Sequence, residues 1–413
     1  MSQLNKSQQV AFDAICNMED GEYLFLTGDA GTGKSFLVRY LSEQLRPILT
    51  ASTGLAAVNI GGVTCHAFFG LDIGIYTPQQ PPRIRKDQQD ILKAAEYIVI
   101  DECSMLRSDM VDAIDHACRI ALKTDTKFGG KKIIFVGDVF QLPPIVTSSE
   151  KELFFERYES EWFFDAWVIG GEIKVVCLDE PMRQADFEML DALNAIRYGD
   201  TSGLDYFNQQ AYKFPEKNAV RIVGKNDIAK SENLRELSKL QGKEMVYLAE
   251  LTGNFRESDA PVESIIRLKV GAKVIVCKNT NEYKNGEVGT VIKLDPEVIY
   301  VELKNRLVAI ESAEWEKSDY KTDEESGGIT RVVTGRFKQI PVKLGYAITV
   351  HKAQGQTYDS VHVDLPYTFV PGQLYVALSR CTTIAGLTLQ TKLNRNSLKV
   401  SERVMRFMGA ING

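Results

Sequence analysis

No apolar run in the 413 residues approaches the ~20 that a membrane-spanning helix needs. The opening residues, Met1-Ser2-Gln3-Leu4-Asn5, lack the apolar core of a signal segment. Cysteine is sparse and scattered, at 16, 65, 103, 118, 177, 277 and 381. An odd number without C-x-x-C spacing argues against a disulfide framework or a zinc site and fits a reducing compartment. There is no internal repeat and no low-complexity tract. Basic charge is not in excess either: the net charge is −6. That balance does not advertise a nucleic-acid partner, although a local groove, and not the total, decides such binding. What remains is an ordinary globular composition, 44% hydrophobic and 25% charged, with length for two to four domains.

The stretch from Leu24 to Ser35 carries the strongest chemistry. Tyr23-Leu24-Phe25-Leu26 reads as a buried strand, and an apolar-patterned helix follows from Phe36 to Leu45. Between them Gly28, Gly33, Lys34 and Ser35 fit G-x-x-x-x-G-K-[ST], with Gly31 and Thr32 inside the loop. Glycines let backbone N–H groups converge on phosphate oxygens, and the helix start adds partial positive charge there. Lys34 supplies a full charge for the outer phosphates, and the Ser35 hydroxyl can ligate Mg²⁺. ATP with Mg²⁺ is the expected pair.

Further along, Tyr97-Ile98-Val99-Ile100 aims Asp101 and Glu102 at the carboxyl end of a buried strand, where open α/β sheets bind ligands. Asp101 would hold the metal, directly or through water; Glu102 would orient and deprotonate an attacking water. Lys132 to Val136 is another strand, leading through Gly137-Asp138 to Gln141-Leu142-Pro143-Pro144. Gln141 could sense a γ-phosphate there, although alone it reads better as a loop glutamine. These strands, most leading into helices, predict a doubly wound parallel sheet.

Several stretches are open to two readings. Gln8, in an amphipathic helix, has an amide able to read adenine, yet by itself it is a solvated helix residue. The small, hydroxyl-rich run from Ala51 to Gly70 suits close approach of a sugar-phosphate backbone; within it His66 and Phe68 fit core packing equally well. Residues 72–94, with three prolines and Arg83, Arg85 and Lys86, read as an insert with a basic tip or as a solvated loop. The aromatics between 152 and 167 favour core packing over base stacking. Val175 to Leu178 reads as the start of a second α/β unit. From 244 to 340 short β-branched segments predict a small β-barrel-like insert, and the acidic run at 312–328 reads as a solvated loop. The α/β pattern resumes at Lys343, and Arg380, ending a helical segment, is placed like an arginine finger; alone it reads as a surface arginine.

Taken in order, the motifs resemble the petite-integration-frequency family of DNA helicases, on the RecD-like 5′-to-3′ branch of superfamily one. The residues are Leu-Asn-Lys-Ser-Gln at 4–8, Gly-Asp-Ala-Gly-Thr-Gly-Lys-Ser at 28–35, the Ser-Thr-Gly-Leu-Ala-Ala run on to His66 and Phe68, and Ile-Asp-Glu-Cys-Ser-Met at 100–105. Gly-Asp-Val-Phe-Gln-Leu-Pro-Pro at 137–144, Met-Arg-Gln at 182–184, Thr-Val-His-Lys-Ala-Gln-Gly-Gln-Thr at 349–357 and Tyr-Val-Ala-Leu-Ser-Arg at 375–380 complete them. Cys103 and Tyr346 depart from the aliphatic and the tryptophan expected there. The resemblance implies two RecA-like P-loop motor domains (1–71 with 95–174, and 175–243 with 341–413), a wedge at 72–94 and an SH3-like barrel at 244–340. It implies adenine on Gln8, with Lys34, Ser35, Asp101, Glu102, Gln141, Arg183, Gly355 and Arg380 around the triphosphate. Single-stranded DNA would run past Thr53, Asn59, His66, Phe68, Thr349, His351 and Lys352. The implied protein is a compact bacterial or phage-type helicase, cytoplasmic and monomeric, acting on single-stranded and forked DNA. The remaining alternative is a DNA-stimulated ATPase that serves as a subunit of a larger repair complex.

Overall fold

The apolar runs become strands covered on both faces, as parallel sheets require. In a computed structural model, which describes residues 4–29, 31–72, 74–180, 186–216, 219–257, 260–304, 306–322 and 329–412, they assemble into one parallel sheet. Its order is Val63–Thr64, Ile48–Ala51, Tyr97–Asp101, Lys132–Val136, Tyr23–Gly28, Lys174–Leu178. Leu24, Phe25 and Leu26 are fully buried, so the strand feeding the phosphate loop lies in the middle of the core. A second parallel sheet orders Ala347–Thr349, Val220–Val223, Val361–Asp364 and Leu387–Leu389. Apolar side chains of both sheets and their helices merge into one continuous cluster. Among the described residues no helix is long and apolar enough to cross a membrane.

Three assignments made from sequence are corrected. Val175–Leu178 does not begin the second domain. The strand Lys174–Leu178 pairs with Tyr23–Gly28 at the edge of the first sheet, with Gly28 opposite Leu178. Apolar periodicity marks a strand but not the sheet it joins. The acidic run is not wholly a loop: Ala313–Thr322 is a strand paired with Ile329–Gln339. Its start alternates with period two. Trp315 is buried against Phe337, while Glu314 and Glu316 face outward and each meets Arg336 at 3.3 Å. Finally, the last helix, Glu402–Asn412, returns to the first domain. Phe407 stacks on Phe164 at 3.9 Å and approaches Phe25, and Arg403 pairs with Asp165.

The described residues between 244 and 344 build three small sheets around a common core. The largest runs Arg306–Glu311, Val298–Leu303, Val288–Leu294, Lys273–Val276, Val342–Leu344, antiparallel throughout. The buried Gln339 amide donates to the Tyr247 and Ser264 carbonyls and ties two of the sheets together. Within 72–94, the segment Lys86–Ala94 is a helix with Ile91 and Leu92 in the first domain's core, and the strand Ala313–Thr322 lies against it. The aromatics Phe154, Tyr158, Trp162, Phe163 and Phe164 are buried.

The two domains approach closely at Gly372, which precedes the helix Gln373–Leu378 with φ +74°. A Cβ there would stand 2.4 Å from the carbonyl oxygens of both Phe140 and Gln141. Gly372→Ala is therefore strained in its own backbone and against its neighbour's. A loss of about 2 kcal/mol or more is expected, read as a lower thermal midpoint; an unchanged midpoint would contradict the close approach.

Candidate nucleotide and nucleic-acid site

The phosphate loop is shaped by glycines at two kinds of position. Gly31 and Gly33 take φ of +84° and +88°, which other residues resist. Gly28 is required by crowding instead: a Cβ would lie 2.5 Å from the Leu178 carbonyl oxygen and 2.9 Å from Thr32 Oγ1. Thr32 is buried, and its hydroxyl donates to the Asp29 carbonyl at 2.9 Å. Lys34 opens the helix Lys34–Leu45, its Nζ donating to the carbonyls of Gly28 at 2.7 Å and Asp29 at 3.1 Å. Burial holds its ammonium below the ordinary lysine range, against the opposing pull of Asp138. Ser35 is exposed at the same helix start.

Gln8 is neither solvated nor idle. It is fully buried and closes a capping box with Asn5. Its Oε1 accepts from the Asn5 amide at 3.1 Å, and its Nε2 donates to the Thr32 carbonyl at 3.2 Å. One amide hydrogen and one oxygen lone pair remain for a ligand.

Asp101 and Glu102 end their strand side by side. Burial, then the neighbouring Glu102 carboxylate, pushes Asp101 up to about 7. Glu102 is raised by burial too, with Lys34 and Arg380 opposing. Glu102 has φ +51°, in the left-handed region that a non-glycine residue enters at a cost. The Ser52 hydroxyl, beside Thr53, donates to the Glu102 carbonyl at 2.9 Å. An exposed hydroxyl at Ser35 and the carboxylate of Asp101 are the hard oxygen donors that Mg²⁺ prefers. Among the described residues no group of three or more His, Cys, Asp or Glu could hold a metal by itself.

From the second domain, Gln354 Nε2 reaches Glu102 Oε2 at 3.4 Å, and Gly355, with φ +71°, lies beside the same carboxylate. Arg380 is buried. It donates to the carbonyls of Val376 at 2.9 Å and Gln356 at 3.1 Å and to the Ser379 hydroxyl at 2.7 Å. Gln141 is half-buried beside Gly372. Arg183 lies outside the described residues.

Sequence reasoning gave no role to five groups that converge here: Arg197, Asn194, Asp138, Gln354 and Tyr375. Arg197 pairs with Asp29 of the loop and, at 3.1 Å, with Asp138; Asn194 also donates to Asp29, at 3.2 Å. The Tyr375 hydroxyl donates to Asp138 at 3.1 Å. Gln354, Asp138 and Tyr375 stand inside motifs already singled out. Arg197 has no sequence signal beyond ending an amphipathic helix.

The nucleic-acid candidates divide. Asn59, His351 and Lys352 are exposed and His66 is half-buried. Thr53 and Thr349 cap the short helices Gly54–Ile60 and Val350–Ala353. Thr349 is 2% exposed, and its hydroxyl accepts from the Lys352 amide at 3.4 Å. Phe68 is a correction: it is fully buried, edge-on to Phe69 at 5.0 Å, which is the core packing weighed against a DNA contact.

A two-domain cleft with a phosphate loop on one wall is now in view. Residues 3–197 match the family model of PIF1-like helicases, and 344–388 match that of the UvrD-like helicase C-terminal domain. The chain is 31% identical over 429 residues to the ATP-dependent DNA helicase Pif1 of Bdellovibrio bacteriovorus, covering 100% of this chain and 93% of that protein. This chain belongs to the PIF1-like helicase family. Against the human ATP-dependent DNA helicase PIF1 it is 30% identical, with 99% of this chain matched and 64% of the human protein spanned. The crystal structure of Bacteroides sp Pif1 in complex with ADP-AlF4 matches with a TM-score of 0.91 at 31% identity, over 100% of this chain and 98% of that one. Bacteroides Pif1 bound to ssDNA matches with 0.72, also at 31%, over 99% and 97%. Membership of the PIF1-like family bears out the two-motor α/β architecture expected from the motifs.

Proposed function

We propose that this PIF1-like chain is an ATP-dependent DNA helicase that moves 5′-to-3′ along single-stranded DNA and opens duplex ahead of it. The observation that carries the reading is the convergence of both domains on one phosphate site: Gln354 reaches Glu102 from across the cleft, and Arg380 is buried in the field of the same carboxylate. Lys34 binds the outer phosphates. Ser35 and Asp101 hold Mg²⁺, which when bound offsets phosphate charge. Glu102 accepts the proton of the attacking water, Gln141 senses the γ-phosphate, and Gln8 contacts adenine through its free amide hydrogen. Arg183 and Arg380 stabilise charge on the transferring group.

DNA crosses the exposed face bearing Asn59, His66, His351 and Lys352. The hydrogen bond from Ser52 to Glu102 supports a short route between that face and hydrolysis: Ser52 adjoins the Thr53 cap on one side and fixes the base's backbone on the other. Residues 72–94 act as the wedge and 244–340 as the strand-holding barrel. Val58, on the DNA-facing helix, is packed against the barrel core. The TM-score is lower against the ssDNA-bound relative, which supports a change of conformation on binding DNA. The active unit is a monomer.

Unwinding of duplexes with single-stranded 5′ or 3′ tails tests the reading. Purified chain with ATP and Mg²⁺ should open the 5′-tailed and forked substrates and leave the 3′-tailed one annealed. Unwinding only from 3′ tails reverses the assigned direction. DNA-stimulated hydrolysis without any unwinding favours a subunit that needs partners.

A further inference from the structure

We propose that Arg197 is a positioning residue for hydrolysis: with Tyr375 it grips Asp138 across the domain boundary and fastens Asp29 of the phosphate loop, so that loop geometry and domain closure are coupled. The proposal rests on the reading of the cleft as the ATP site. Arg197 ends the helix Phe187–Arg197, which packs on Ser202–Ala211 and on Gln373–Leu378 of the second domain. Arg197 is 3% exposed, and its guanidinium lies over the Phe140 ring, 4.5 Å from the centroid. One nitrogen meets Asp29 and another meets Asp138 at 3.1 Å.

Buried carboxylates need partners, and Asp138, 1% exposed, has three. They are Arg197, the Tyr375 hydroxyl and the Phe140 amide, each at 3.1 Å. Burial alone would push its carboxyl up; Arg197 and Lys34 outweigh that and hold it below the usual carboxylate range. Two of the three partners come from the far side of the cleft. Opening the cleft therefore strips Asp138 and frees Asp29 in the same motion. Asp29 is also held by Asn194, one turn earlier on the Arg197 helix. Its backbone carbonyl takes the Lys34 ammonium at 3.1 Å, so the grip on Asp29 is transmitted to the residue that binds phosphate. A planar guanidinium can bridge two carboxylates in a fixed direction; a lysine ammonium, a compact point charge, holds both less well.

The test is steady-state ATP hydrolysis by the full chain, with and without single-stranded oligothymidylate, for wild type, Tyr375→Phe and Arg197→Lys, with thermal melts alongside. Tyr375→Phe keeps the ring and removes the contact with Asp138. It should lower the DNA-stimulated kcat about tenfold with the KM for ATP within about twofold, a coupling of ordinary allosteric size. Arg197→Lys should lower the same kcat by at least as much and raise KM. Conservative variants that keep wild-type kcat and KM under DNA stimulation overturn the role, as do variants whose melting alone changes. A wild-type chain that hydrolyses no ATP overturns the site reading itself and the role with it, so the two failures are distinguishable.

Discussion

Lys34→Ala is expected to abolish ATP turnover, by about 10³-fold or more in the presence of single-stranded DNA. The ammonium sits at the start of the helix Lys34–Leu45, within the fields of Asp138 and Glu102. Its donors are taken by the loop carbonyls of Gly28 and Asp29. Phosphate oxygens would compete for those same donors, so the lysine needs only a small movement to exchange partners. Alanine removes the charge and the ammonium's hydrogen bonds to both carbonyls, and nucleotide affinity should fall as well. Turnover above a tenth of wild type would sink the site assignment.

Arg380→Ala should cost nearly as much, about 10³- to 10⁵-fold in kcat, the range for an arginine acting on the transferring phosphoryl group. The side chain is 7% exposed, and its contacts are carbonyl and hydroxyl oxygens of its own domain. Burial lowers its affinity for the proton, while Tyr375 and Glu102 act to restore it. Neutral oxygens hold the group in place without cancelling its charge, so the charge is available when negative charge develops nearby. Nucleotide binding should fall less than hydrolysis, because the contact is strongest in the transition state. Single-turnover hydrolysis set against the Kd of a fluorescent ATP analogue separates the two. Arg380→Lys guards against loss of packing, since it retains charge but not the fork that reaches Gln356 and Ser379. Equal losses in binding and hydrolysis for both variants would count against the finger role.

The parts of the site that are contiguous in sequence were legible, because local chemistry fixes them. Gly28 to Ser35 must curl, and Asp101-Glu102 must end a buried strand, whatever the rest of the chain does. Gln354 and Tyr375 were within reach, since they stand in motifs whose other residues drew attention first. Arg197 was not, because its meaning depends on Asp29 and Asp138, which reach it only after two domains have docked. Strand patterns showed where the Lys174–Leu178 segment would be extended but not which sheet would accept it; that choice depends on pairing with Tyr23–Gly28. The alternation Glu314, Trp315, Glu316 was obscured by the acidity of its outward face, although the inward tryptophan carried the strand signal. Phe68 failed as a DNA contact for the opposite reason: an aromatic in a polar, small-residue run looks available until its burial is known.

The return of the helix Glu402–Asn412 to the first domain changes the mechanics of the motor. With Phe407 seated on Phe164 and Arg403 paired to Asp165, the second domain is tethered to the first at both ends of its own sequence. Two anchor points define an axis, and a body held at two points can swing about that axis but cannot translate away from it. Such a tether opposes separation of the domains more than rotation about the line between the anchors. Free energy from the nucleotide would then appear more as rotation than as separation.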